Sequence, residues 1–516
     1  MKKETNRSFF GITIATLWLS FIQISWAGAN ATVYFGIQVV DEQTGRGVPL
    51  VELETVNHLR YVTDSAGWVA FSEPGLMGQE VFFIIKSHGY RFPKDGFGYA
   101  GLRITPQAGQ TKTIKVKRVN IAERLYRITG EGIYRDTVLL GLPTPIKTPL
   151  GTALVVGQDS TFGVPFRDRI YWFWGDTSRM AYPLGHFWMA CATSALPNLE
   201  GLSPDTGINL DYLVDDNGFS RPVARLGVKN GPIWIDDVCV LPDDQSKETL
   251  VCHYAHMESL AKILDHGLAV FDTNRQQFNR IQDLPMDQLT LYPCQAHPIK
   301  HEKHLYLGQV FPIVRYPAIL ASFSDPNSSE VWTCLEPGST LKNPTFKKNA
   351  DVTLAYSWQP HAEPVDIADE WRWVNEGKIS AEQAHMLPKD IESNEPIRLH
   401  RGSVNWNPYR KRWISIAAQQ GGTSNLGEVW YSEAKSITGP WRWAQKIVTH
   451  DKYTFYNPVH HPFFDEDDGR LIYFEGTYAS TFSGNEFPTA RYDYNQIMYR
   501  LDLSSPELQT LQEKTE

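Results

Sequence analysis

The chain has 516 residues, 42% hydrophobic and 12% aromatic, with a formal net charge of −9. Its length accommodates two or three domains, its composition is globular, and its acidic balance makes a nucleic-acid partner a poor fit. The 16 Trp serve either stacking surfaces for sugars or bases, or strand-rich cores.

The chain opens with MKKETNR, an apolar run from Phe9 to Trp26, and small residues Ala27, Gly28 and Ala29. This is the three-part pattern of a secretory signal peptide over 1–29. The alternative, a single membrane anchor, has a run barely long enough to span, and no other stretch is a candidate. Cleavage predicts a secreted or periplasmic protein, free of the membrane. It also removes Lys2, Lys3, Glu4 and Arg7, leaving a net charge of about −11. Cys191, Cys239, Cys252, Cys294 and Cys334 form no C-x-x-C pair, so a structural zinc site is not expected. Cys239 and Cys252 flank a predicted hairpin turn, where a disulfide suits an oxidising compartment.

Residues 30–118 read as a small β domain of strand-like runs separated by turn residues. "DEQTGRGVPLVELET" followed by "YVTDSAGWVAF" carries Gly47-Val48-Pro49-Leu50, then Thr63-Asp64 and Gly67 at a turn. This segment resembles the carboxypeptidase-regulatory-like, transthyretin-type β-sandwich. The resemblance implies a spacer or accessory module. "IAERLYRI", 121–128, reads as a short helix within a linker at 119–129.

From 130 to 504 one unit recurs five times: a strand, a polar turn, an aromatic second strand, and a third strand ending in small or polar residues. The second strands are RIYWFWGDT, TLVCHYAHM, HLYLGQVF, RWISIAAQQ and LIYFEGTY. A helical insert is expected over 362–386. The repeat predicts an all-β fold, a five-bladed β-propeller preceded by the small sandwich. A generic array of sandwiches is the alternative, and the constant order of the hairpins favours the propeller. "GIYRDTVLLG", 132–141, is expected to supply a strand that helps close the ring, and 505–516 to form a C-terminal tail.

Residues equidistant from a hairpin turn face each other across it. On that arithmetic Asp176 falls opposite Asp159, His256 opposite Asp236, Gln309 opposite Gln295, and Glu475 opposite His460. Asp159, Asp176, Asp236, Asp237, His256, His297, His460 and Glu475 then gather at one end, the central funnel. Each alone serves as well in a strand-end hydrogen bond; their convergence points to a small-ligand site. Paired carboxylates suit glycoside hydrolysis, one protonating the leaving oxygen and the other activating water or attacking. Glu475, among Tyr473, Phe474 and Tyr478, is a candidate acid, and Asp159 a candidate base. Trp234, Trp406 and Tyr456 offer stacking faces or core packing. Arg315 and Arg401 are candidates either for gripping an acidic or sulfated sugar or for structural ion pairs.

"GQDSTFGVPFRDRIYWFWGDT" and "LGEVWYSEAKSITGPWRWAQKIV" resemble five-bladed glycosidase-like propellers related to glycoside hydrolase family 43. The resemblance implies Asp159 as base, Asp236 or Asp237 as the residue that orients it, and inversion as the stereochemistry. Its general acid, a third-blade Glu, has no counterpart: that unit offers Gln295, His297 and Gln309, leaving Glu475 or Glu428. The resemblance requires no cofactor and allows a single metal ion near the axis, by Asn457, His460, His461, Asp493 and Asn495. The expectation is a secreted glycoside hydrolase with a carbohydrate substrate. A non-catalytic carbohydrate-binding propeller or a polysaccharide lyase acting on an acidic glycan are the alternatives.

Overall fold

The computed structural model describes residues 32–515, so the signal peptide expected at 1–29 lies outside the described residues. Among the described residues no helix is long and apolar enough to cross a membrane.

The first part is two four-stranded sheets face to face. Phe35–Asp41 lies between Trp68–Phe71 and Thr111–Arg118, with Tyr90–Arg91 beyond. Glu52–Thr55 lies between Arg60–Val62 and Val81–Lys86, with Gly101–Ile104 beyond. Alternating apolar residues, among them Ile37, Val39, Leu53, Phe83 and Val116, fill the space between them. The Thr63–Gly67 turn is built by its own side chains. Asp64 Oδ1 accepts the Ala66 and Trp68 N–H groups at 3.0 and 3.1 Å. Gly67 (φ 76) tolerates no Cβ, which would come within 2.4 Å of the Val39 carbonyl.

The second part is a β-propeller arrangement of antiparallel sheets. The first sheet holds Thr161–Phe166, Arg169–Trp174, Ala190–Ala195 and Asp211–Tyr212. The second holds Ile233–Pro242, Glu248–Ser259, Lys262–Asp272 and Gln277–Leu284. The third begins with Ile299–His301 and His304–Leu307, the fourth with Leu399–Asn407 and Arg412–Gln419. The fifth holds Thr454–His460, Leu471–Ala479 and Asn495–Asp502. Their first strands converge on a common cavity of about 410 Å³, to which Phe162, Val238, His297, Val404 and Val459 each contribute. Hydrogen bonds cross the seams: Ile233 N–H to Phe187 O at 2.9 Å, Gly402 N–H to Gln309 O at 2.9 Å, and His460 N–H to Ser403 Oγ at 2.9 Å.

Three local expectations are corrected, and the tail is found to carry a helix. Residues 123–127 are not helical: Glu123–Arg127 is a strand that pairs with Asn495–Asp502 and completes the fifth sheet. All five of its residues are buried, and the unpaired sheet edge outweighs their helix propensity. Residues 132–141 hold a short helix, Arg135–Leu139, instead of a closing strand. Its Thr137 donates from N–H and hydroxyl to Asp64 Oδ2 at 2.7 and 2.8 Å, docking it on the sandwich turn. The tail carries a helix, Gln509–Thr515, with Leu508 and Leu511 packed beside Tyr431 and Ile447. Cys239 and Cys252 are both free thiols. Cys239 pairs in register with Val251, so Cys252 leaves the opposite face of the sheet and enters a different core.

Candidate active site

The first hairpin carries the site. Its ladder runs from Phe166↔Arg169 to Thr161↔Trp174 and sets Asp159 and Asp176 opposite each other just beyond the paired strands. Asp176 N–H donates to Asp159 Oδ1 at 2.9 Å, and Gly175 N–H to Asp159 O at 2.8 Å. A Cβ at Gly175 would lie 2.4 Å from Asp159 Oδ1, so only glycine permits this approach. Tyr456 OH donates to Asp159 Oδ2 at 3.3 Å, and the Tyr494 hydroxyl bonds the same carboxylate. Trp234 Nε1–H donates to Asp176 Oδ1 at 3.3 Å. Burial, and then the charge of Asp176, push Asp159 up to about 7; burial pushes Asp176 up to about 6. Two carboxyls in such contact titrate as a pair.

A polar network flanks the pair. Asn457 Nδ2 donates to Ser160 Oγ at 2.7 Å and also to Gln295 Oε1. Gln295, at φ 61, donates its N–H to Asp236 Oδ2 at 3.1 Å. Arg401 Nη1 is buried without a hydrogen-bond partner, close enough to Asp236 to feel its charge. Thus Asp159, Asp176, Trp234, Tyr456, Gln295 and Asn457 form one connected wall. The sequence reading gave no role to Ser160 or Tyr494. Their signal was adjacency: Ser160 follows Asp159 and Tyr494 stands in "YDYNQ".

Other expected members lie elsewhere. Glu475 is fully buried and pairs with Val459, because its strand runs on to Ala479 before reaching the funnel. Its Oε1 bonds His461 Nε2 at 2.7 Å and its Oε2 accepts the Thr161 hydroxyl at 3.1 Å. A carboxylate so enclosed is a seam between the fifth and first sheets, not a solvent-facing acid. Glu428, 2% exposed, is held by the Thr423 hydroxyl and faces Lys446 at 3.5 Å. His256 does not face Asp236. The turn centres one residue earlier than expected and a bulge shifts the ladder further, so that His253 does, and His256 binds Asp265 at 2.7 Å on the rim. His297 lines the axial cavity against Phe162, where burial and His461 hold its pKa down to about 3. His460 faces the same cavity and bonds Asp465 at 2.7 Å.

Arg315 is committed to Glu330 at 2.5 Å and lies over Trp358, within the outer strands of the third sheet. Trp406 pairs with Trp413 at the turn end of its hairpin, opposite the funnel. Asp493 accepts the Tyr453 hydroxyl and the Ser480 N–H, each at 2.5 Å. Asn495, fully buried, bonds Thr129 and the Val156 carbonyl. The set Asn457, His460, His461, Asp493 and Asn495 is therefore spread over separate partners. Asp236 and Asp237 lie together beneath Gln295, both buried, the first bonded to His253 at 2.7 Å.

No family of known proteins matches the chain, and no curated protein does. Among solved structures it is similar to a putative exo-β-1,3-galactanase from Bifidobacterium bifidum, at 10% identity, TM-score 0.37, over 73% of this chain and 92% of that one. It is also similar to an exo-β-1,3-galactanase from Phanerochaete chrysosporium bound to galactose, at 14% identity and TM-score 0.35 over 67% of this chain. The chain spans 61% of that galactanase's length. A third similar structure is an α-L-arabinofuranosidase from Fusarium graminearum, at 10% identity, TM-score 0.31, over 75% of this chain and 99% of that one.

Proposed function

We propose that this chain is an exported glycoside hydrolase, a five-bladed propeller carrying a carboxypeptidase-regulatory-like sandwich, whose reacting pair is Asp159 and Asp176. The observation that carries the reading is the close pairing of two carboxyls at the end of the first hairpin, Asp176 N–H on Asp159 Oδ1 at 2.9 Å. Glycoside hydrolysis needs one carboxyl to protonate the departing oxygen and one carboxylate to activate water or to attack. Burial and the neighbouring charge of Asp176 push Asp159 up, as a proton donor requires. Asp176, aligned by the Trp234 indole, is the carboxylate partner. Tyr456, Trp234 and Tyr494 give the partly apolar wall that a raised carboxyl requires. Asn457, Ser160 and Gln295 supply hydroxyl-binding groups, and Arg401 supplies a charge suited to an acidic or sulfated ring.

The test is reducing-end release from a panel of neutral and acidic polysaccharides by wild type, D159N and D176N. Wild type is expected to cleave at least one member, with both variants reduced by more than about a hundredfold. Following the anomeric proton by NMR decides the stereochemistry, with inversion as the working reading. Release unchanged in both variants would remove the pair from the mechanism. A second reading, a glycan-binding propeller without catalysis, is favoured by one feature: the third sheet presents the Gln295 carboxamide, not an acid. Binding without release by wild type selects it. The lyase reading fits less well, because burial pushes the Tyr456 and Tyr494 phenols well above their ordinary value, away from service as bases.

A further inference from the structure

In a regular strand consecutive side chains leave opposite faces of the sheet. Asp236 and Asp237 do not. Asp237 sits at φ 53, in a bulge where the pairing of the second sheet's first two strands slips between Asp236 and Cys239. The left-handed residue brings both carboxylates to His253, and one donor atom from each of the three lies within 4.8 Å of the others. All three side chains are buried. Neither carboxylate oxygen of Asp237 has a hydrogen-bond partner. A left-handed non-glycine backbone and an unbonded buried carboxyl are both costly, and here they fall on one residue.

His253 is held from behind. His266 Nε2 faces the Pro285 carbonyl at 2.8 Å, which only accepts, so that nitrogen carries a hydrogen. His266 Nδ1 in turn lies 2.9 Å from His253 Nε2. His253 Nδ1 is the nitrogen turned toward the carboxylates, 2.7 Å from Asp236 Oδ1. Tyr292, stacked on the ring at 5.2 Å and 13°, fixes its plane. Metal-binding imidazoles are held in this way, one nitrogen bonded to a fixed neighbour and the other turned toward the ligand set.

We propose that Asp236, Asp237 and His253 bind one divalent first-row transition-metal ion of the zinc or manganese type. Two carboxylates and a neutral imidazole balance a dication. A mixed nitrogen and oxygen set suits such an ion better than calcium or magnesium, which take oxygen alone. Bonds of about 2.0–2.2 Å require donor separations of about 3–4 Å, so the donors shift by about an ångström. The ion lies under the Gln295 loop, because Asp236 Oδ2 holds the Gln295 N–H. Its role is to fix that loop. The proposal does not depend on the glycosidase reading.

The full chain is stripped with a chelator and titrated with Co²⁺ and, in parallel, Zn²⁺. The expected result is a single retained ion, a raised melting temperature, and cobalt bands of oxygen and nitrogen ligation without a thiolate charge-transfer band. D237N copies the shape of a protonated carboxyl and keeps the fold; it is expected to bind at least tenfold more weakly. D468N, in the turn that precedes Leu471–Ala479, is expected to bind like wild type. Failure of wild type to retain an ion, a thiolate band from Cys239, Cys252 or Cys294, or unchanged affinity in D237N would each overturn the proposal.

Discussion

Under the proposed function, two carboxyls joined through a backbone N–H set the pH dependence. With Asp159 near 7 and Asp176 near 6, activity is expected to follow a narrow bell centred between them. D176N removes the neighbouring charge, so the Asp159 titration followed by NMR should move down; no movement would refute the coupling. The same shifts act on stability. Both folded values lie above the ordinary carboxylate range, so the stability they contribute is full at low pH and is lost as pH rises through about 6 to 7. D159N should therefore melt above wild type at pH 8 and match it near pH 4; equal melting at both values would contradict the shift. Glu475 belongs to a different class. E475Q breaks a buried pair with His461 and is expected to cost roughly 3 kcal/mol in urea unfolding. A variant that kept full stability and lost turnover would return Glu475 to the mechanism. The sequence showed Glu475 as a carboxylate among aromatics, and that was correct; what it could not show was depth. Depth is set by how far Leu471–Ala479 runs past it.

Hairpins were legible because turn residues and aromatic strands repeat in order, and the Asp159–Asp176 register followed from the turn alone. The arithmetic failed in the second sheet and slipped by one residue in the fifth. Both carry a left-handed residue at a bulge in the first strand, Asp237 at φ 53 and Asn457 at φ 50, but Val459↔Glu475 lies on the turn side of its bulge, so there the slip comes from the turn itself. Asp and Asn adopt this backbone readily, but whether they do depends on tertiary contacts. The same limit misplaced the closing strand. "IAERLYRI" has helical propensity, and only the open edge of Asn495–Asp502 makes it a strand. Leu125 in that strand is fully buried, whereas Val138 of the following helix is 36% exposed. L125A is expected to cost about 3 kcal/mol and to speed hydrogen exchange across Asn495–Asp502. V138A is expected to cost less than about 0.5 kcal/mol. The reverse order would mean that 132–141 closes the ring.

The sandwich is bonded to the propeller through buried groups. Arg124, 1% exposed, donates to Pro49 O at 3.1 Å, His88 O at 3.2 Å and Ser87 Oγ at 2.7 Å. Tyr492 OH donates to Thr63 O at 2.7 Å, and His88 meets the Tyr478 hydroxyl at 2.9 Å. Because Arg124 sits on the closing strand, docking the sandwich also braces ring closure. R124M leaves those acceptors unpaired and is expected to cost on the order of 3 kcal/mol. Calorimetry should then resolve one unfolding transition into two; a single unchanged transition would show that the two parts do not support each other. The central claim is that the funnel cleaves glycans with the Asp159–Asp176 pair. It is tested most directly by measuring binding and product release on the same glycan array for wild type and D159N. Both are expected to bind, and only wild type to release product. Release by D159N at the wild-type rate, or binding without release by wild type, would contradict it.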